Sequence, residues 1–216
     1  MKWEQDLVRD IRFHDDRDDI DDPRLLGHVF PDIPQEFSKC NAYNLGRIIG
    51  TFSVYSFGTL CPKNILEIGV HRNGEKSSTK LIHDIIKHSI TQDSIYLGVD
   101  LEDKSYLCSD NDLYGSKIHT IQCNSSNYDL VVDKMEEIGM KEIDLLFIDG
   151  WHSINQVLDD WEYTKLLSKK SVVFFHDTSA HPGPKLFLEN LDRKKWDVSE
   201  NLCPDDYGLG MCYAKA

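Results

Sequence analysis

The sequence predicts an α/β fold with a mostly parallel sheet, and three observations carry that prediction. Five short apolar runs, each bounded by polar turns, recur between Asn64 and Asp177. Segments of helical period separate several of them, which is the pattern of βα units. The tail then breaks the alternation. Asp197–Leu202 and Gly208–Lys215 are strand-like and are joined by Cys203-Pro204-Asp205-Asp206-Tyr207 with no helix between them. Two strands joined that closely pair antiparallel. The expected architecture is a five-stranded parallel core plus a terminal hairpin.

The five runs are Asn64–Val70, Ser94–Leu101, Lys117–Asn124, Ile143–Asp149 and Ser171–Asp177. Helices are expected over Glu75–Ser89, Asn127–Ile138 and Ser153–Leu167; the last aligns Ile154, Val157, Leu158 and Trp161 at i, i+3, i+4 and i+7. Residues 1–34 are polar, Asp-rich and broken by Pro23, Pro31 and Pro34, so they read as an arm or lid. Residues 35–58 space Phe37, Tyr43, Leu45, Ile48, Ile49 and Phe52 as one or two helices would. The division is therefore an N-terminal arm with helices over 1–58, serving as a lid or in contacts with substrate or a second copy in a homo-oligomer, and an α/β domain over 59–216.

Composition narrows the function. In 216 residues, 24 Lys and Arg face 37 Asp and Glu, a balance of 24 − 37 = −13. Such a chain does not grip nucleic acid or an anionic membrane through bulk charge. Five of those negative charges fall in residues 15–22, where six aspartates are offset by Arg17 alone. That stretch lacks the glycine and closing glutamate of an EF-hand loop and reads as part of the arm. The six cysteines (Cys40, Cys61, Cys108, Cys123, Cys203, Cys212) form no C-x-x-C pair, and reduced thiols in a cytoplasmic protein are the expectation. No signal-type h-region opens the chain, and no apolar stretch approaches a membrane span.

In an open parallel sheet, ligands bind beyond the carboxyl ends of the strands. The first run ends Glu67-Ile68-Gly69-Val70 and continues to Gly74, with two glycines where backbone could approach a ligand. The second ends at Asp100, placed to accept from a ribose diol; the third ends at Asn124-Ser125-Ser126, able to reach an adenine or to cap the next helix. Together they describe an adenosine-containing ligand. The fourth and fifth runs end Asp149-Gly150-Trp151-His152 and His176-Asp177-Thr178. On neighbouring strands about 4.8 Å apart, two such carboxylates repel unless a cation or proton intervenes, which points to a divalent metal with His176 and His152 as nearby nitrogen donors.

From Asn64 to Tyr213 the chain resembles the class I S-adenosylmethionine-dependent methyltransferases. Phe147-Ile148-Asp149-Gly150-x-His152, then Val157, Asp160, Leu166-Leu167 and His176-Asp177-Thr178, resemble more narrowly the metal-dependent O-methyltransferases of the macrocin and cephalosporin-hydroxylase-like group. The resemblance implies a Rossmann-like, doubly wound, mostly parallel sheet of seven strands in the order 3-2-1-4-5-7-6 with an antiparallel last strand. It implies S-adenosylmethionine as cofactor, with Glu67, Gly69 and Gly74 at its methionine end, Asp100 on the ribose, Asn124 near the adenine and Asp149 bordering it. It implies a divalent metal, Mg²⁺ first and Mn²⁺ or Zn²⁺ as alternatives, at Asp149, His176 and Asp177, with His152 as catalytic base. The acceptor would be a hydroxyl of a small molecule or sugar. Two positions depart from the group: His176 stands where relatives carry an acid, and Glu75 replaces the second glycine of a pair.

Two competing readings come from other classes. A metal-dependent hydroxylase or hydrolase would use His152, His176 and an aspartate as a two-His-one-carboxylate site. A non-catalytic S-adenosylmethionine-binding module would keep Gly69 and Asp100 and be indifferent to metal. Asp159, Asp160 and Glu162 read as a solvated helix face, and His181-Pro182-Gly183-Pro184 as a rigid loop beside the proposed metal.

Overall fold

The computed structural model describes residues 62–70, 79, 82, 94–112, 117–199 and 207–215, with side chains at all of these except 109–112. The expected arm and helices over 1–58, and Gly74 and Glu75 of the first turn, lie outside the described residues. Thr79 and Ile82 are helical, within the span expected to be a helix, and belong to a different unit from the sheet.

The sheet has seven strands: β1 (Asn64–Ile68), β2 (Ile95–Asp100), β3 (Lys117–Gln122), β4 (Ile143–Ile148), β5 (Leu167–His176), β6 (Trp196–Ser199) and β7 (Leu209–Ala214). Their order is β3-β2-β1-β4-β5-β7-β6. β1 to β5 run parallel, whereas β7 is antiparallel to both β5 and β6. This is the mostly parallel, antiparallel-ended sheet expected from the apolar runs and the helix-free tail. The order reverses at β1, which lies between β2 and β4, and this switch point opens a crevice at the carboxyl ends of those strands.

The sequence forms these strands because a parallel strand is covered on both faces and must be apolar along its whole length. All six residues of β4 are buried. Leu66, Ile68, Leu97, Val99, Leu146, Ile148, Val173 and Phe175 share one core with the helices that follow. Helix α1 (Tyr128–Glu137) contributes Val131 and Met135, one turn apart. Helix α2 (Ile154–Trp161) starts at Ser153, whose hydroxyl accepts from the Gln156 amide at 3.2 Å. Helix α3 (Pro182–Asn190) follows β5. Trp161 of α2 lies 4.9 Å from Phe187 of α3, 5.8 Å from Phe175 of β5 and 4.7 Å from Trp196 of β6, ring centre to ring centre. Each such ring contributes about 2–3 kcal/mol through burial. The cluster therefore fixes α2 and α3 against the end of β5.

Three local expectations are corrected. Residues 181–184 open α3 rather than forming a loop: Pro182 occupies the first helical position, where its missing N–H is no loss. β5 begins at Leu167 and not Ser171, because Ile143 pairs with Leu167 and Leu145 with Val172, leaving extra residues on β5 as a bulge. The helix after β4 ends at Trp161 and tightens into a 3-10 turn over Glu162–Leu166. Among the described residues, no helix is long and apolar enough to cross a membrane.

Candidate functional site

At the carboxyl ends of β4 and β5, four side chains converge. Ile148 pairs with Phe175, so Asp149 and His176 leave the sheet side by side. Asp149 Oδ1 lies 3.0 Å from His176 Nδ1, which is 3.2 Å from Asp177 Oδ1. The other oxygen of Asp177, Oδ2, lies 2.6 Å from His152 Nε2. One carboxylate thus addresses two histidines from two sides. The backbone makes this turn at a cost, since Asp177 sits at φ 59°, a left-handed conformation that few non-glycine residues adopt. Amides of Ala180 and His181 donate to the Asp177 carbonyl at 3.2 and 2.9 Å and close the turn.

Gly69 brings β1 to the same place. Its φ is 82°, and a Cβ there would stand 2.0 Å from the Asp149 carbonyl oxygen, so only glycine fits. Gly183 does the same for α3, where a Cβ would meet the His152 carbonyl oxygen at 2.1 Å. The start of α3 is consequently pressed against His152, and the His181 ring stacks on the His152 ring at 4.0 Å with 9° between planes.

The electrostatics follow from burial and proximity. Burial alone would lower the His176 pKa, but the Asp149 and Asp177 carboxylates outweigh it and raise the pKa to about 10. Burial would raise Asp177, yet contacts with His152 and His176 hold it well below the usual carboxylate range. Asp177 is therefore ionised at neutral pH. The donor set also fits a divalent cation. Ligand atoms of Asp149, His176 and Asp177 all lie within 4.8 Å of one another. Cis ligands of an octahedral ion with bonds of about 2.1 Å stand about 3.0 Å apart, close to the two histidine–carboxylate spacings given above.

The ends of β1 to β3 are occupied by local bonding. Asp100 Oδ2 accepts from the Val70 amide and Oδ1 from the Glu102 amide, each at 2.8 Å. Each carboxylate oxygen has a second lone pair beyond these bonds. Asn124 is exposed, and its Oδ1 accepts from the Ser126 amide at 3.0 Å in a turn. Glu67 is fully buried and accepts from the Tyr96 hydroxyl. Gly74 lies outside the described residues.

Sequence reasoning missed two groups. Asp160, read as solvated, is fully buried: Oδ1 accepts from Ser125 Oγ at 2.6 Å and Gln156 Nε2 at 2.9 Å, while Oδ2 has no hydrogen-bond partner. Burial raises its pKa to about 6, only partly offset by Ser125 and Gln156. The helix is rotated from the expected face, so Ile154 and Leu158 are exposed and Val157 and Asp160 point inward. Tyr163 adds a hydroxyl donated to the Ser125 carbonyl at 2.6 Å. Spacing three residues from Val157 was the available signal. His181 is the second, and no sequence signal placed its ring on His152.

Residues 66–178 match the model of a family described as a methyltransferase domain. No curated protein shares significant sequence similarity with the chain. Among solved structures, the chain is similar to CalS11, a TDP-rhamnose 3′-O-methyltransferase of calicheamicin biosynthesis, at 12% identity and TM-score 0.57, covering 98% of this chain and 94% of that one. It is similar to the MycE methyltransferase of the mycinamycin biosynthetic pathway, solved with Mg, S-adenosylhomocysteine (SAH) and mycinamycin VI, at 15% identity and TM-score 0.52. That match covers 76% of this chain and 47% of the other, so the chain spans about half the length of MycE. A methyltransferase from Geobacter sulfurreducens matches at 13% identity and TM-score 0.51, covering 90% of each chain. These likenesses agree with the fold described above, and the family match runs from within β1 to the Asp177 turn: the chain belongs to the methyltransferase domain family.

Proposed function

We propose that this protein transfers a methyl group from S-adenosylmethionine to a hydroxyl of a small molecule or sugar, with a divalent cation held by Asp149, His176 and Asp177. The observation that carries the reading is the divided carboxylate of Asp177, with Oδ1 toward the Asp149–His176 pair and Oδ2 on His152. When bound, the cation would supply charge stabilisation to an ionising hydroxyl, and the sulfonium cofactor the methyl group.

The chain's own residues do the rest. An ionised Asp177 can only accept, so the His152 proton stays on Nε2 and Nδ1 is left to take the proton of the acceptor hydroxyl. Asp177 then stabilises the imidazolium so formed, as a carboxylate does beneath a histidine base. The stacked His181 ring and the backbone contact at Gly183 limit rotation of His152, and fixed geometry is itself a large part of such rate enhancements. Gly69, Asp100 and Asn124 border the cofactor, with Asp100 offering its second lone pairs to the ribose. Support comes from the family match, from MycE solved with Mg and SAH, and from CalS11, whose acceptor is a sugar hydroxyl.

Calorimetric titration with SAH, with and without Mg²⁺ or Mn²⁺, tests this reading. Binding of the nucleoside is expected, and its absence under every condition would remove the methyltransferase assignment for this chain.

A further inference from the structure

We propose a second cation site formed by His152, His181 and Asp177 Oδ2, adjacent to the first and joined to it by Asp177, and suited to a zinc-type ion. Occupancy of this site inhibits the enzyme. The inhibitory effect rests on the methyl-transfer reading above; the binding itself does not.

Two triads that share Asp177 are present among the described residues. One is Asp149, His176 and Asp177; the other is His152, Asp177 and His181, whose ligand atoms also lie within 4.8 Å of one another. Asp177 belongs to both and presents a different oxygen to each, 3.2 Å to His176 and 2.6 Å to His152. A carboxylate placed that way has the geometry of a bridge between two ions. His181 reaches the second triad because the five-residue turn from Asp177 folds back on itself: the His181 amide donates to the Asp177 carbonyl at 2.9 Å. Gly183 then lets α3 close onto the His152 backbone.

The donor chemistry separates the two sites. Two carboxylates and one imidazole suit a hard, six-coordinate ion such as Mg²⁺. Two imidazoles and one carboxylate are a borderline set that favours Zn²⁺, with a coordination position left for water or substrate. In the structure the two rings lie parallel, so their in-plane lone pairs do not yet converge. His181 is exposed and can turn about its side-chain bonds without disturbing the core, whereas His152 and Asp177 are largely enclosed. An ion entering there takes His152 away from Asp177. The base loses the partner that fixes its tautomer, and turnover falls.

The test titrates the full chain with Zn²⁺ by calorimetry, and with Co²⁺ by visible absorption, in the wild type and in His181→Asn, His181→Ala and Asp149→Asn. His181→Asn places a residue favoured at helix N-caps at the start of α3, so it is the variant to use where alanine there disturbs folding. The wild type is expected to bind two ions per chain. His181→Asn is expected to lose one, with Zn²⁺ affinity at that site reduced about a hundredfold or more, while Asp149→Asn keeps it. Zinc inhibition of methyl transfer is expected to disappear in His181→Asn. A single ion per chain in the wild type overturns the proposal, as does unchanged stoichiometry and affinity in His181→Asn, or loss of all binding in Asp149→Asn. These outcomes hold whether or not SAH binds, so failure of this site and failure of the methyltransferase reading remain distinguishable.

Discussion

Strand β4 carries an aspartate at each end, Asp144 near its start and Asp149 just past its finish, and the two are used in opposite ways. Asp144 Oδ2 accepts from the Lys63 and Asn64 amides at 3.1 and 2.9 Å, and its Oδ1 accepts from Ser168 Oγ at 2.6 Å. Its oxygens are engaged by the chain's own donors, and the group stitches β1, β4 and β5 together. Asp149 lies against His176, whose pKa of about 10 keeps it protonated between Asp149 and Asp177, and a divalent cation bound there would take the place of that proton. The two acids differ in their surroundings and not in their type. A carboxylate bonded to backbone amides holds a fold, whereas one that shares a protonated histidine with a second carboxylate can exchange that proton for a cation, as proposed above. The parallel topology sorts the two, because loops and free lone pairs gather at the carboxyl ends.

The sharpest break in this comparison comes from His152→Ala. Removing the proposed base is expected to lower kcat by about 10²–10⁴-fold with the fold and nucleoside binding retained, as steady-state kinetics beside SAH calorimetry would show. At the other end, Asp144→Ala leaves the Lys63 and Asn64 amides and the Ser168 hydroxyl without their acceptor. A loss of about 2–4 kcal/mol in denaturant-measured stability is expected. Asp144→Asn should recover most of it, because its carbonyl oxygen still accepts from the amides and the Ser168 hydroxyl can reverse to accept from the new NH₂.

Asp160 supplies a third, smaller contrast, a buried carboxylate held by the Ser125 hydroxyl and the Gln156 side-chain amide rather than by backbone amides. Its pKa is raised in the folded state to about 6 from 3.8. The stability it contributes is fully present below the unfolded value and is lost as pH rises through the folded one. The loss between about pH 4 and 7 is on the order of 3 kcal/mol. The stability difference between wild type and Asp160→Asn, measured by denaturant unfolding across that range, should shift in favour of the variant as pH rises. A difference independent of pH would show that Asp160 does not titrate there.

Much of the frame was legible because parallel strands announce themselves. β1, β2, β3 and β4 match their apolar runs to within two residues at each end, and a tail without a helix leaves antiparallel pairing as its local solution. The approach of Asp149 and Asp177 at the rim also follows from two runs ending in acids on neighbouring strands, although in register it is His176 that stands beside Asp149. What stayed hidden depends on tertiary contacts. Asp160 looks like any charged residue on a helix until Ser125 and Gln156 are brought to it from 35 residues upstream and one turn back. His181 reads as loop because nothing in Ala180-His181-Pro182 states that α3 will lean on His152. The β5 bulge is hidden for the same reason: Ser168 leaves the apolar pattern to bond Asp144, a partner 24 positions away.

The central claim, that the carboxyl end of β4 and β5 is built for a cation while the opposite end is built for the fold, is tested most directly by Mn²⁺ binding. Electron paramagnetic resonance titrations should be run on wild type, Asp144→Asn and Asp149→Asn. The account predicts Mn²⁺ binding in the wild type and in Asp144→Asn, and its loss in Asp149→Asn. Equal binding by Asp149→Asn and the wild type, or none by either, would contradict it.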